Sequence, residues 1–462
     1  MPPRAYLPDL LLADGELRAG AALTVRDGVV AAVGEPVAGA EVVRLPRQAI
    51  LPGLVSAHGH AFQRAIRGRT ERHGAGGEDF WSWRAAMYEA ANRLDPDDLE
   101  AVARMAFHEL ARTGVTAVGE FHYLHRDPAG RPYAEPAELA LRVVRAARDV
   151  GLRVVLLRAG YARAGHGLPP DPLQRRFVEP SPDAYLAGLD ELAAALGGDP
   201  LASVGVAPHS VRACPEPWLA ALAAEAHRRR LPLHVHAAEQ PAEVLACRAE
   251  HGVTPVALLA RAGALHRGAT LVHAIHLDDA DVRAIGAAGA TVCACPLTER
   301  NLGDGVVPAD RLVAAGAQLA LGADSLAEID LLGEARALEL QLRLVRGERN
   351  VLDEPPGSLA SRLLGAATAG GMASLGLEGG TLAPGEPADF IAIDLDDPSI
   401  AGAAPDALLP TIVFALARTA IVAVHVAGEP VIAAGEAAPG RVPADRILAD
   451  FRRAMARLWG AG

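Results

Sequence analysis

Six side chains in this sequence have the types and spacing to build a metal-assisted acid–base site: His58, His60, His236, Glu239, His273 and Asp324. His58 and His60 flank a single glycine. On a β-strand, residues two apart point the same way, so both imidazoles can reach one ion. Alone this spacing is a weak signal, because His-x-His arises by chance and loop histidines are common. It gains weight from His236-Ala237-Ala238-Glu239, His273 and Ala323-Asp324-Ser325, which close later apolar runs. Three imidazoles (His58, His60, His236) and the Asp324 carboxylate suit zinc, iron or another divalent transition ion. The mixed nitrogen and oxygen set excludes an iron–sulfur cluster.

The elements that must position these groups alternate regularly. Eight apolar runs read as strands: 53–58, 115–121, 152–157, 203–207, 233–237, 270–274, 291–295 and 318–321. Helical stretches fill the gaps, including Asp97 to Arg112, Pro182 to Leu196 and Pro215 to Arg229. Such alternation predicts parallel strands with helices outside, and eight repeats predict an α/β fold closed as a (β/α)8 barrel. In these barrels the site lies at the C-terminal strand ends. The polar residues fall there: His58 and His60, Tyr123, His209, His236 and Glu239, His273, and Asp324.

Both ends of the chain have a different texture. From Ala5 to about Val43, short apolar pieces are broken by Asp14-Gly15, Asp27-Gly28 and Gly34. Residues 390–393 read as a strand, and 421–427 followed by Gly428-Glu429-Pro430 as a hairpin. The expectation is a small β-sandwich made from residues 1–50 and 376–462 around a barrel of 51–375. Apolar Ile447, Leu448, Phe451, Met455 and Leu458 predict a terminal helix.

Composition narrows the function classes. The 462 residues are 51% hydrophobic, ample for a large core, and the formal net charge of −12 with scattered arginines offers no nucleic-acid footprint. No stretch is long and apolar enough to span a membrane. Four cysteines make no disulfide framework, which fits a reducing cytoplasm. The sequence contains no lysine, so all 44 basic residues are arginine and Schiff-base chemistry is removed.

The histidine and aspartate pattern, with Leu51-Pro52-Gly53-Leu54 leading into strand one, resembles the amidohydrolase superfamily over essentially the whole chain. Two-metal members generally bridge their ions with a carboxylated lysine, so the resemblance here implies one divalent ion per subunit, zinc above all, as in the superfamily's deaminases. Flanking residues narrow it further. His60-Ala61-Phe62-Gln63-Arg64-Ala65, Phe80-Trp81-Ser82-Trp83-Arg84, Glu120-Phe121-His122-Tyr123, Gln174-Arg175-Arg176-Phe177, Pro208-His209-Ser210-Val211-Arg212 and Thr298-Glu299-Arg300-Asn301-Leu302-Gly303-Asp304-Gly305 are similar to the family of formimidoylglutamate deiminases. Gly59, where the family often has Ser, and Arg300, at a usually small position, depart from it and lie close enough to alter loop packing or substrate fit.

The resemblance implies hydrolysis of N-formimino-L-glutamate to N-formyl-L-glutamate and ammonia in histidine degradation, and a homodimer. A small dicarboxylate substrate needs planar cationic partners, which Arg84 and Arg212 can supply. Gln63, Tyr123 and His209 join them in lining the pocket by resemblance. In the implied mechanism Asp324 accepts the proton of an activated water, His273 orients the attack, and Glu239 protonates the imine nitrogen. Two rival readings are a deaminase of a nucleobase or another amidine, and a non-catalytic assembly protein on a degenerate barrel. The Arg84 and Arg212 pair speaks against the first, and retention of every ligand and of Glu239 against the second.

Other residues have plainer readings. His234 is expected in the core or beside the site, since only His236 has Glu239 at the right offset. His122, His125 and His276 read as helpers or surface groups, and Cys293 and Cys295 as small buried strand residues. Trp81 and Trp83 suit substrate stacking or loop packing equally. The long connection from Tyr161 to Pro182 suits a lid, a subunit contact or a solvated loop, with Arg175 and Arg176 its residues worth testing.

Overall fold

A computed structural model describes residues 2–71, 80–135 and 137–460. Eight parallel strands form one sheet in strict chain order: β1 (Leu54–Gly59), β2 (Val115–His122), β3 (Arg153–Gly160), β4 (Ala202–Pro208), β5 (Leu233–Ala237), β6 (Ala269–His273), β7 (Thr291–Ala294) and β8 (Gln318–Leu321). Every residue of β1, β2 and β3 is buried. Strands covered on both faces have no solvent side, which is why they read as continuous apolar runs rather than alternating ones.

The barrel closes between β8 and β1 through residues just beyond the strands. Asp324 donates its amide to the His58 carbonyl (3.1 Å), and the Asp324 carbonyl accepts the His60 amide (3.0 Å). Gly322 permits this approach, because a Cβ there would lie 2.7 Å from the His58 carbonyl oxygen and 2.9 Å from the His58 Cβ. Ser56 ties the same seam, donating its hydroxyl to the His58 carbonyl and accepting the Ala323 amide (both 3.1 Å).

Outer helices begin and end on local chemistry. The helix Pro96–Arg112 has Pro at its first turn and the Asp95 carboxylate accepting the Asp98 amide (2.7 Å). It buries Leu99, Val102, Ala106, Phe107 and Leu110. The C-terminal helix Ala444–Trp459 packs on it, with Arg457 paired to the buried Asp98 and the Trp459 indole donating to the Ala65 carbonyl (3.1 Å).

The two chain ends join in one nine-stranded sheet, in which Glu41–Pro52 pairs in parallel with Arg4–Ala13 and antiparallel with Phe390–Asp394. The sheet folds over on itself: Val30 donates its amide to the Glu386 carbonyl, and Gly28 meets Ala427. Tyr6, Leu23, Val25, Ile50 and Phe390 fill the space between its halves. Strand Glu41–Pro52 then runs through Gly53 directly into β1. Among the described residues no helix is long and apolar enough to cross a membrane.

Candidate functional site

His58 and His60 sit at the end of β1, His236 at the end of β5, and Asp324 just beyond β8; all four are buried. One ligand atom from each lies within 4.8 Å of the others. His58 Nε2 is 3.1 Å from His236 Nε2 and 3.3 Å from Asp324 Oδ1, which is also 3.3 Å from His60 Nε2. Backbone carbonyls fix two of the rings: His60 Nδ1 donates to Phe121 O and His236 Nδ1 to His209 O, each at 2.9 Å. A carbonyl can only accept, so both rings carry their proton on Nδ1 and turn a bare Nε2 inward.

Burial drives the His58 pKa down to about 3 and that of His236 well below its ordinary value. Burial opposes ionisation of Asp324, but the neighbouring His58, His60 and His273 rings outweigh it and hold the carboxyl well below the usual range. Neutral imidazoles and an anionic carboxylate are the states a divalent ion requires. His58 Nδ1 is buried with no partner among the described residues, and four buried nitrogen and oxygen donors converge from three strand ends, so the donor set fits a metal.

His273, at the end of β6, stands beside this cup. Its Nε2 is 3.5 Å from Glu239 Oε1 and 3.8 Å from Asp324 Oδ2. Its Nδ1 is 3.2 Å from Oε1 of Glu299, a fully buried carboxylate that also accepts the Cys295 amide at 2.8 Å. Burial disfavours the imidazolium, yet Glu239, Glu299 and Asp324 together raise the His273 pKa well above normal. Burial raises the Glu239 pKa, with His273 the main opposing influence. The Glu239 amide donates to Glu243 Oε2 (3.1 Å), and Gln240 donates to the Asp304 carboxylate, so the segment carrying Glu239 is tied on both sides. Ala238, His273, Ala274 and Asp324 all have positive φ (52°, 71°, 53° and 38°), backbone strain that the surrounding fold sustains.

The cup opens into a pocket lined also by Gln63, Trp83, Arg84, Tyr123, His209 and Arg212. Gln63 donates to the Tyr123 hydroxyl (3.0 Å), while its buried Oε1 has no partner among the described residues. Arg84 donates to the Tyr88 hydroxyl (2.5 Å), and Arg84 and Arg212 both reach the Tyr161 hydroxyl (3.4 Å each). Gln174 donates to both tyrosine hydroxyls (2.8 and 3.1 Å). Burial opposes ionisation of Tyr161, but Arg212 and Arg84 outweigh it and lower its pKa. The site is therefore bipolar, with carboxylates and imidazoles at the cup and two guanidinium groups at the far end.

All the sequence-derived site residues thus meet in one place. Tyr88, Tyr161, Gln174 and Glu299 are additions that sequence reasoning did not single out. His234 bonds the Ser374 carbonyl (2.8 Å) away from the cup, and His125 and His276 bond the Ala159 and Asp304 carbonyls. His122 is buried beside His125, not at the surface. Cys293 and Cys295 fill the barrel interior with Ala57, Val272 and Ala320. Arg176 is fully buried and clamps the carbonyls of Ala91, Leu94 and Arg126, while Arg175 is exposed against Pro128. Arg300 is exposed and faces Glu328 at 3.6 Å, away from the pocket. Trp83 lines the pocket; the Trp81 side chain falls outside the described residues.

The chain matches the amidohydrolase family model over residues 49–431. It is 41% identical over 412 residues to the formimidoylglutamate deiminase of Pseudomonas aeruginosa, covering 88% of this chain and 90% of that protein. It is 29% identical to a 5-methylthioadenosine/S-adenosylhomocysteine deaminase of Halobacterium salinarum, covering 85% of this chain and 83% of the other. Among solved structures, an amidohydrolase from Brucella melitensis superposes with a TM-score of 0.91 at 32% identity, over 98% of this chain and 99% of that one. A zinc-bound adenosine deaminase from Xanthomonas campestris shares the fold, with a TM-score of 0.83 at 23% identity over 99% and 98% of the two chains.

Proposed function

This chain belongs to the amidohydrolase family, and from that premise we propose that it hydrolyses N-formimino-L-glutamate to N-formyl-L-glutamate and ammonia, with one zinc ion in the cup. The observation that carries this reading is the bipolar pocket: Arg84 and Arg212 converge on Tyr161 at the end opposite His273, Glu239 and Asp324. Guanidinium pairs suit carboxylates, whereas a neutral nucleobase offers them no opposite charge. The similarity to a formimidoylglutamate deiminase points the same way.

His58, His60, His236 and Asp324 would hold the ion, which supplies Lewis-acid activation of water, lowering its pKa towards about 7. Asp324 Oδ2, turned towards His273, is placed to take the water's proton. His273, held by Glu299 through its Nδ1, steadies the oxygen as it adds to the formimino carbon. Glu239, whose pKa burial raises, gives its proton to the imine nitrogen. The proton held on Asp324 then passes to the amine, the adduct's hydroxyl returns its remaining proton to Glu239 as the carbon–nitrogen bond breaks, and ammonia leaves with the formyl oxygen in place. Arg84 and Arg212 bind the two carboxylates, and Gln63 Oε1 offers an acceptor to a formimino N–H.

The test is ammonia release from N-formimino-L-glutamate, set beside guanine and N-formimino-L-aspartate. A kcat/KM for the glutamate compound at least tenfold above both is expected. Preference for either comparator overturns the substrate assignment.

A further inference from the structure

Arg212 would be a poor carboxylate clamp if the turn carrying it were loose, because only a guanidinium already in place transfers its hydrogen bonds to the ligand without an ordering cost. The turn lies on the connection after β4, and its bracing comes from the loop after β3. The amides of Ala162 and Arg163 both donate to the Ala213 carbonyl (3.0 and 3.1 Å). The Arg163 side chain then reaches across: Nε donates to the Arg212 carbonyl at 3.1 Å and Nη2 to the Val211 carbonyl at 3.4 Å.

Arg163 is itself held from the far side. Its Nη1 donates to Glu250 Oε1 (2.8 Å), and the other oxygen of Glu250 lies 2.9 Å from His166 Nδ1. Glu250 is next to the last residue of the helix Pro241–His251, which begins just after Glu239. One guanidinium thus joins the connections after β3, β4 and β5. His166, Glu250 and His251 also have ligand atoms close enough together for a metal ion. The cationic place beside Glu250 is already filled by Arg163, which makes this an ion-pair latch. Only 11% of the Arg163 side chain is exposed, so solvent competes little for the contact.

We propose that Arg163, anchored by Glu250 and His166, is a positioning residue that fixes the Arg212 turn and so sets the enzyme's affinity for the substrate carboxylate. This rests on the substrate assignment above. Arg163 touches neither substrate nor the reacting atoms, so its loss should act on binding rather than on turnover.

The experiment compares Arg163→Met, which keeps the apolar stem, with the wild type and with both in an Arg212→Met background. Losing charge-assisted bonds to two carbonyls should raise KM for N-formimino-L-glutamate by about tenfold. The expected kcat stays within about twofold, with unchanged zinc content and melting temperature. In the Arg212→Met background the same change should add less than about twofold, because its target is gone. An unchanged KM in Arg163→Met, or an equal penalty in both backgrounds, overturns the proposal. If Arg163→Met does not fold, Glu250→Gln carries the same pattern with a KM rise of about threefold, since it loses only the anchor. Wild-type protein that releases no ammonia from this compound overturns the substrate assignment and the proposal together; turnover with an unmoved KM in the variants overturns the latch alone.

Discussion

Asp324 is joined to His60 twice: its carbonyl accepts the His60 amide at 3.0 Å, and its Oδ1 lies 3.3 Å from the His60 ring. The first contact closes the barrel and the second builds the metal cup, so backbone and side chain have separable jobs. Asp324→Ala should therefore fold, because the closing bonds are between backbone groups. It should lose at least about a hundredfold in metal affinity and nearly all activity. Metal analysis beside far-ultraviolet circular dichroism checks this. An unfolded Asp324→Ala protein would show that the carboxylate is needed for closure itself.

Glu239 faces His273 across 3.5 Å and belongs to none of the groups that converge as metal ligands. Glu239→Gln keeps its shape and removes the transferable proton. Turnover should fall by about 100- to 10,000-fold with zinc content and substrate affinity intact. A variant with wild-type kcat would remove Glu239 from the proton-transfer role.

Glu299 offers one oxygen to both His273 Nδ1 and the Cys295 amide, while its other oxygen has no partner among the described residues. Glu299→Gln retains the acceptor, and Glu299→Leu removes it. The Gln variant should keep kcat within about tenfold, and the Leu variant should lose about a hundredfold more at equal metal content. Equal activity in the two would mean that the ring of His273 is oriented by packing alone.

How much of this was legible in the sequence depends on the kind of signal. The eight strands were visible because two-sided burial makes each an uninterrupted apolar run, and β5 and β8 have the bounds that the apolar pattern gives. The metal cup was visible because its members are chemically conspicuous at strand ends. Tyr161 and Glu299 obey the same positional rule, one directly after β3 and the other shortly after β7. They escaped notice because a tyrosine and a glutamate after an apolar run look ordinary until a partner is known, and the partners lie far away in the chain. Arg176 stood out in its Gly- and Pro-rich segment as a residue worth testing, but its role was hidden, because only the fold shows three carbonyls converging on it.

The small sheet carries its own acid sensor, remote from the metal cup. His425 stacks on Phe390 with ring centroids 4.3 Å apart, and burial lowers its pKa from 6.5 to about 4. Between these values the unfolded chain binds a proton that the folded chain does not, so folded stability falls as pH drops through that window. His425→Gln has no such proton. Relative to this variant, the wild type should lose on the order of 3 kcal/mol between pH 7 and pH 4. Denaturant unfolding of both proteins across that range checks the sign, and parallel curves would show that His425 is protonated in the fold.

Two glycines at the seam between β8 and β1 should respond in opposite ways. A Cβ on Gly59 would find the Asp324 carbonyl oxygen as its nearest neighbour, at an ordinary 3.8 Å. Gly59→Ser, the residue common at this place in the family it resembles, should keep kcat/KM within about threefold, since no strain accompanies the added atoms. A Cβ on Gly322 would press on the His58 carbonyl at 2.7 Å and the Cys295 sulfur at 3.1 Å, with backbone on one side and a packed interior on the other. Gly322→Ala must push β8 from β1 where the two metal-facing ends meet. A loss of about 1–3 kcal/mol in stability is expected, together with weaker metal retention on dialysis. If Gly322→Ala melts with the wild type and keeps its metal, the closeness of this seam is not what shapes the cup.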